Sequence, residues 1–103
     1  MEERMTAYIV VEIDVTDPEG YEEYRRLAAP TVTNSGGKYI VRGGNAQTLE
    51  GDWCPTRFVI LQFDSVEQAK AWWSSEEYAP IREIRYRTAN SKMILVEGVD
   101  GVV

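Results

Sequence analysis

The sequence contains no histidine and a single cysteine, Cys54. Without histidine, the commonest general base near neutral pH and the commonest metal ligand are both missing. A Ser-His-Asp triad, a zinc site with nitrogen ligands and a histidine-ligated haem are excluded on that ground. Neither a metal nor a bound cofactor is expected, and acid–base chemistry falls to Asp, Glu, Tyr, Lys, Cys54 or a substrate. One thiol cannot close an internal disulfide, which fits a reducing, cytoplasmic compartment. Long apolar runs are missing too. Nothing nears the roughly 20 residues that span a bilayer, and the opening "MEERM" lacks the apolar core of a signal peptide. Positive charge is scarce, with eleven Lys and Arg against seventeen Asp and Glu, a net charge of −6. Such a surface repels phosphate backbones, so neither nucleic acid nor a membrane is an expected partner. The sequence has no G-x-G-x-x-G fingerprint and no P-loop, and its acidic residues do not follow calcium-loop spacing.

What is present is an ordinary globular composition, 44% hydrophobic and 27% charged. The 103 residues read as one domain over residues 6–103, preceded by a flexible, solvated extension over residues 1–5. A chain of this size buries only roughly 60–70% of the surface of its unfolded form, so a partner subunit would add stability.

"AYIVVEIDV" (Ala7–Val15) alternates as a strand, with Ile9, Val11, Ile13 and Val15 on one face and Tyr8, Val10, Glu12 and Asp14 on the other. A helix follows, with Asp17 as N-cap, Pro18 at its first position and Glu19 at the positive dipole end. Tyr21, Tyr24, Leu27 or Ala28, and Val32 recur on one side of it. Pro30 is expected to kink or divide this helix, and Gly36-Gly37 to end it. "KYIVRGG" and "RFVILQF" (Arg57–Phe63) read as the next two strands. "SVEQAKAWWSSEEY" starts a helix with the capping-box pattern Ser65-x-x-Gln68. Ser74-Ser75 loosens it, and Ser75 caps a continuation through "EEYAPIREIRYRTA" before a last strand, "KMILVEGV".

The order is βαββαβ, which predicts an α+β, ferredoxin-like fold: a four-stranded antiparallel sheet with the helices on one face. Val59, Leu61 and Phe63 face one way on the third strand, Phe58 and Ile60 the other. The helices cover only one of these faces. The other, joined by Tyr8 and Val10, is more apolar than a monomer usually leaves exposed. A homodimer packed sheet to sheet would cover it.

In order and spacing, "TDPEGYEEYRRLAAPTV", "GGKYIVRGG", "LEGDW", "FVILQFDSVEQAKAWWSSEEY" and "SKMILVEG" resemble an uncharacterised family, domain of unknown function 1330, over residues 6–98. That family is similar to the dimeric α/β-barrel superfamily. The resemblance implies two ferredoxin-like sheets paired into a dimeric barrel. It also implies a cleft between sheet and helices, as in superfamily members that are cofactor-free monooxygenases, lactone isomerases or haem-degrading enzymes.

The stretch "YIVRGGNAQTLEGDW" raises the question of a site. Twelve residues, Asn45 to Thr56, separate two strands, long for a hairpin loop and long enough to carry function. Arg42 ends the strand beneath, where its guanidinium could grip a ligand carboxylate or pair with Glu50 or Asp52. Adjacent in sequence, Trp72 and Trp73 point about 100° apart on a helix, one to the core and the other to its margin or a cleft. Tyr24 and Tyr78 lie on different helices, each with a hydroxyl able to reach a polar ligand. Cys54, with no histidine to activate it, reads as a buried or half-exposed structural thiol. The candidate ligand-binding set is therefore Arg42, Glu50, Asp52, Trp72, Tyr78 and Tyr24, around a small acidic or aromatic metabolite. A binding module, a cofactor-independent enzyme acting on that metabolite, and a structural dimer with no enclosed pocket all remain open.

Overall fold

The computed structural model describes residues 5–99. The extension expected at the N-terminus falls, save for exposed Met5, outside the described residues. The order is β1 (Ala7–Val15), α1 (Pro18–Asn34), β2 (Lys38–Arg42), β3 (Arg57–Phe63), α2 (Val66–Trp73), α3 (Ala79–Thr88) and β4 (Ala89–Glu97). The strands form one antiparallel sheet in the order β2-β3-β1-β4. This is the ferredoxin-like arrangement, with the second helical segment in two pieces.

Alternation along β1 sorts its side chains as the sequence predicts. Ala7, Ile9, Val11 and Ile13 are buried under the helices with Val59, Leu61 and Phe63 of β3. In the register, Val10 lies opposite Ile60 on one side and Ile94 on the other, so all three share the helix-free face. β2 carries an irregularity between Tyr39 and Val41. Beyond it, Arg42 lies opposite Val59 and so belongs to the helix-covered face.

The helix ends follow from their sequences. The Asp17 carboxylate accepts from Gly20 N–H at 3.2 Å, and the Ser65 hydroxyl from Gln68 N–H at 3.1 Å. At the end of α1, Gly36 N–H donates to the Thr33 carbonyl and Gly37 N–H to that of Val32. This double bond is the Schellman pattern, and it needs the positive φ of +83° that Gly36 supplies. Pro30 does not divide α1, which runs unbroken through it. Pro30 is exposed, so the backbone carbonyl one turn earlier that loses its N–H partner faces water rather than core.

Between α2 and α3 the chain turns once. The Ser75 hydroxyl accepts from Tyr78 N–H at 3.1 Å and the Ser75 carbonyl from Ala79 N–H at 3.0 Å. Ser75 thus caps the turn leading into α3. That turn places Tyr78 in the core, fully buried.

Candidate functional site

Tyr78, Ile81, Arg85 and Thr88 recur at helical spacing on the inward side of α3, and Arg85 is only 3% exposed. A guanidinium at such a position needs partners. Arg85 Nη1 donates to the Tyr78 hydroxyl at 2.6 Å and, more weakly, to that of Tyr24 at 3.5 Å. Its Nε donates to Ser91 Oγ on β4 at 3.1 Å. The two tyrosine hydroxyls meet at 2.6 Å. Among the described residues no carboxylate pairs with Arg85. The single ion pair among the described residues joins Arg25 to Glu22 on the exposed side of α1.

The cluster rests on aromatic packing. The Tyr78 ring lies 4.2 Å from the Trp72 ring, and Trp72 lies 5.8 Å from Phe63. Trp72 Nε1 donates to Thr31 Oγ1 at 2.9 Å, and that hydroxyl donates to the Ala28 carbonyl. Burial, then the neighbouring Tyr24, pushes the Tyr78 phenol far above its ordinary range. Burial works against the charge on Arg85. The hydroxyls of Tyr78 and Tyr24 more than offset it, so the guanidinium stays protonated with its pKa above the ordinary value. A fixed cation held by neutral acceptors therefore sits inside the fold.

Arg85 and Ser91 open onto a groove of about 620 Å³ between α2, α3 and β4. Its walls are mainly apolar, from Ile9, Ala69, Met93, Leu95 and the ring of Trp73, with Lys70 and Tyr86 at the rim. Pockets that hold small organic ligands span roughly 300–1,000 Å³ and combine apolar walls with a few placed polar groups. Trp73 is 41% exposed while Trp72 is 1% exposed, so the adjacent pair divides between groove and core. Arg82 holds Trp73 in place: its guanidinium lies 4.2 Å from the ring centroid and its Nη1 donates to the Trp73 carbonyl. Among the described residues, the groove lining includes no carboxylate or thiol.

The expected site residues are distributed as follows. Arg42, Tyr24 and Trp72 line a second, smaller cavity of about 30 Å³ between α1 and the β2–β3 edge, and Tyr78 backs it by stacking on Trp72. Glu50 and Asp52 are not brought to it. They lie exposed on the long loop, and neither pairs with Arg42, whose guanidinium sits 4.3 Å from the Tyr39 ring. The loop leans to the other face of the sheet. Its Trp53 ring meets Phe58 edge-on at 5.9 Å, and Trp53 Nε1 donates to the Glu12 carboxylate at 3.2 Å. Covering apolar Phe58 with a tryptophan draws the loop away from Arg42. Cys54 is exposed, not buried or half-buried as expected, because Trp53 beside it makes the contact with the sheet.

Arg85, Ser91, Lys70, Trp73 and Tyr86 are absent from the candidate set read from the sequence. A signal for Arg85 was available: a charge at an inward position of the stripe Tyr78, Ile81, Arg85, Thr88. Ser91 and Lys70 carry none.

A family model described as "Domain of unknown function (DUF1330)" matches residues 6–99. The chain belongs to this family. Solved structures add the fold. A protein of unknown function from Rhodopseudomonas palustris, RPA0582, is 18% identical with a TM-score of 0.76, over 94% of this chain and 85% of that one. SnoaB, a cofactor-independent oxygenase from Streptomyces nogalater, is 10% identical with a TM-score of 0.62, over 89% and 91%. A dimeric protein of unknown function and ferredoxin-like fold from Bacteroides fragilis is 12% identical with a TM-score of 0.53, over 89% and 95%. No curated protein matches the chain. At these identities what this chain shares with the three solved structures is the fold.

Proposed function

We propose that this protein binds a small aromatic or otherwise apolar carboxylate in the groove between α2, α3 and β4. The observation that carries this reading is Arg85, a buried guanidinium with no carboxylate partner among the described residues, at the floor of an apolar groove of ligand size. A ligand carboxylate would meet the charge of Arg85 and the hydroxyl of Ser91, with Lys70 at the rim. Its apolar body would lie against Trp73, Met93 and Leu95. Desolvated contact with a fixed guanidinium is where a charge-assisted hydrogen bond discriminates most strongly.

Titration calorimetry with a panel of aromatic and aliphatic carboxylates, each beside its primary amide, tests this. Acids binding at least tenfold more tightly than their amides support the site. Equal affinities would remove the anion requirement. A second reading, a cofactor-independent enzyme acting on the same ligand, is favoured by the fixed cation, which could stabilise a developing oxyanion. It predicts conversion of a bound acid in air with no added cofactor.

The functional unit in this reading is a homodimer in the cytoplasm, its two sheets paired into a barrel through their helix-free faces. Ile94 is 60% exposed there, beside Val10, Ile60 and half-buried Phe58. The dimeric Bacteroides fragilis neighbour supports this assembly. No helix among the described residues is long and apolar enough to cross a membrane.

A further inference from the structure

The smaller cavity has its own chemistry, separate from the groove. Arg25 from α1, Arg42 from the end of β2 and Arg57 from the start of β3 all line it, with the rings of Tyr21, Tyr24 and Tyr39, and no carboxylate among the described residues does. The Nε atoms of Arg25 and Arg57 are buried and have no hydrogen-bond partner among the described residues. A buried charged donor left unpaired is among the more unfavourable arrangements a fold can hold. Glu22 answers Arg25 only at Nη1, on the exposed side of the helix.

Gly43 lies directly against one of these cations. Its φ is +75°, and a Cβ there would overlap Nη1 of Arg57. Gly43 supplies the positive φ of this turn, and its missing Cβ lets the Arg57 guanidinium lie close, whereas Gly44 faces open space. The surrounding phenols do not neutralise it. Burial raises the pKa of Tyr21, and burial followed by Tyr24 raises that of Tyr39 to about 12, so both stay neutral at physiological pH.

We propose that this cavity binds one small monovalent anion, of halide, nitrate or formate size, between the Nε–H groups of Arg25 and Arg57, with Arg42 at its mouth. The volume of about 30 Å³ sets the size limit. It accommodates one or two water-sized groups and excludes the ligands suited to the groove. A single anion meets both orphaned donors and offsets the charge of Arg57, which has no ion pair among the described residues.

The test exchanges sodium gluconate for sodium bromide, nitrate or formate at constant ionic strength, following the melting temperature and the bromide-81 NMR line width. Gluconate is too large for the cavity. A saturable rise in melting temperature with the small anions, with saturable line broadening by bromide, is the expected result. Arg57→Lys keeps the charge but removes the Nε donor, and should weaken bromide at least tenfold. Arg25→Lys is the parallel variant and decides the matter if the first does not fold. Non-saturating responses equal to those in gluconate, or unchanged bromide affinity in the folded lysine variants, would overturn the proposal. Arg85 is untouched and no aromatic acid is used, so failure here is separable from failure of the groove.

Discussion

On the helix-covered side of the sheet, β1 presents Ala7, Ile9, Val11 and Ile13 to a core that also holds Arg85, Thr31 and two tyrosine hydroxyls in hydrogen bonds. On the other side the same strand presents Tyr8 and Val10 beside Ile60, Ile94 and Val96, with the loop from Asn45 to Thr56 leaning over one end. The covered side carries more polar chemistry than a core needs for stability. The open side carries more apolar surface than a solvated face needs. Polar groups buried with satisfied partners suit a ligand site, and apolar groups left in water suit a second protein surface.

The largest effect should come from breaking the covered side at its aromatic centre. Trp72→Ala removes the ring packed between Tyr78 and Phe63 and should cost about 3–5 kcal/mol, measured by urea denaturation. Trp73→Ala, one residue on, should cost far less and act on carboxylate affinity instead. Equal losses from the two would erase the division between core and groove.

Next is the open side. Val10→Glu should leave the protomer folded by circular dichroism and shift a dimer to monomer in analytical ultracentrifugation, since an unpaired charge in the interface costs several kcal/mol. An unchanged sedimentation coefficient would remove this face from the interface.

Tyr78→Phe sharpens the comparison within the core. It keeps the stack on Trp72 but takes the 2.6 Å acceptor from Arg85, and should cost about 1.5–3 kcal/mol, the range for hydrogen bonds to charged groups. A smaller loss would show that Ser91 and Tyr24 suffice to hold the guanidinium.

The smallest effect concerns pH. Tyr39 has its folded-state pKa raised to about 12, against about 10 when unfolded. Its contribution is fully present below the unfolded pKa and is lost as pH rises from about 10 through about 12. Denaturation midpoints should therefore hold steady up to about pH 10 and fall above it, more gently in Tyr39→Phe. Parallel declines in both proteins would assign the loss to other groups.

The strands and caps were legible because local signals agree. The alternation in β1 and β3, Asp17, Ser65, Ser75 and Gly36 each act within a few residues of where they lie. Pro30 misled because its cost depends on which way that side of the helix faces, a tertiary property. The loop misled similarly. Glu50 and Asp52 lie close to Arg42 in sequence, but Trp53 found Phe58, and that attraction acts across the sheet. Arg85 was half legible, as a charge in an apolar stripe. Its acceptors Tyr24, Tyr78 and Ser91 come from three different elements, and no local pattern brings them together.

The strand order also sets a timetable. β1 is made before the other described strands of its sheet, yet Ala7 pairs with Phe63 on one side and Glu97 on the other. At about 5–20 residues per second, β1 waits several seconds for its first neighbour and a few more for its second. Until then its apolar residues and both rows of backbone donors and acceptors are unmatched, a template for any other extended chain nearby. Non-local pairing of this kind also slows folding after synthesis. β4 covers the second edge of β1, so premature chain ends upstream of β4 leave that edge permanently open.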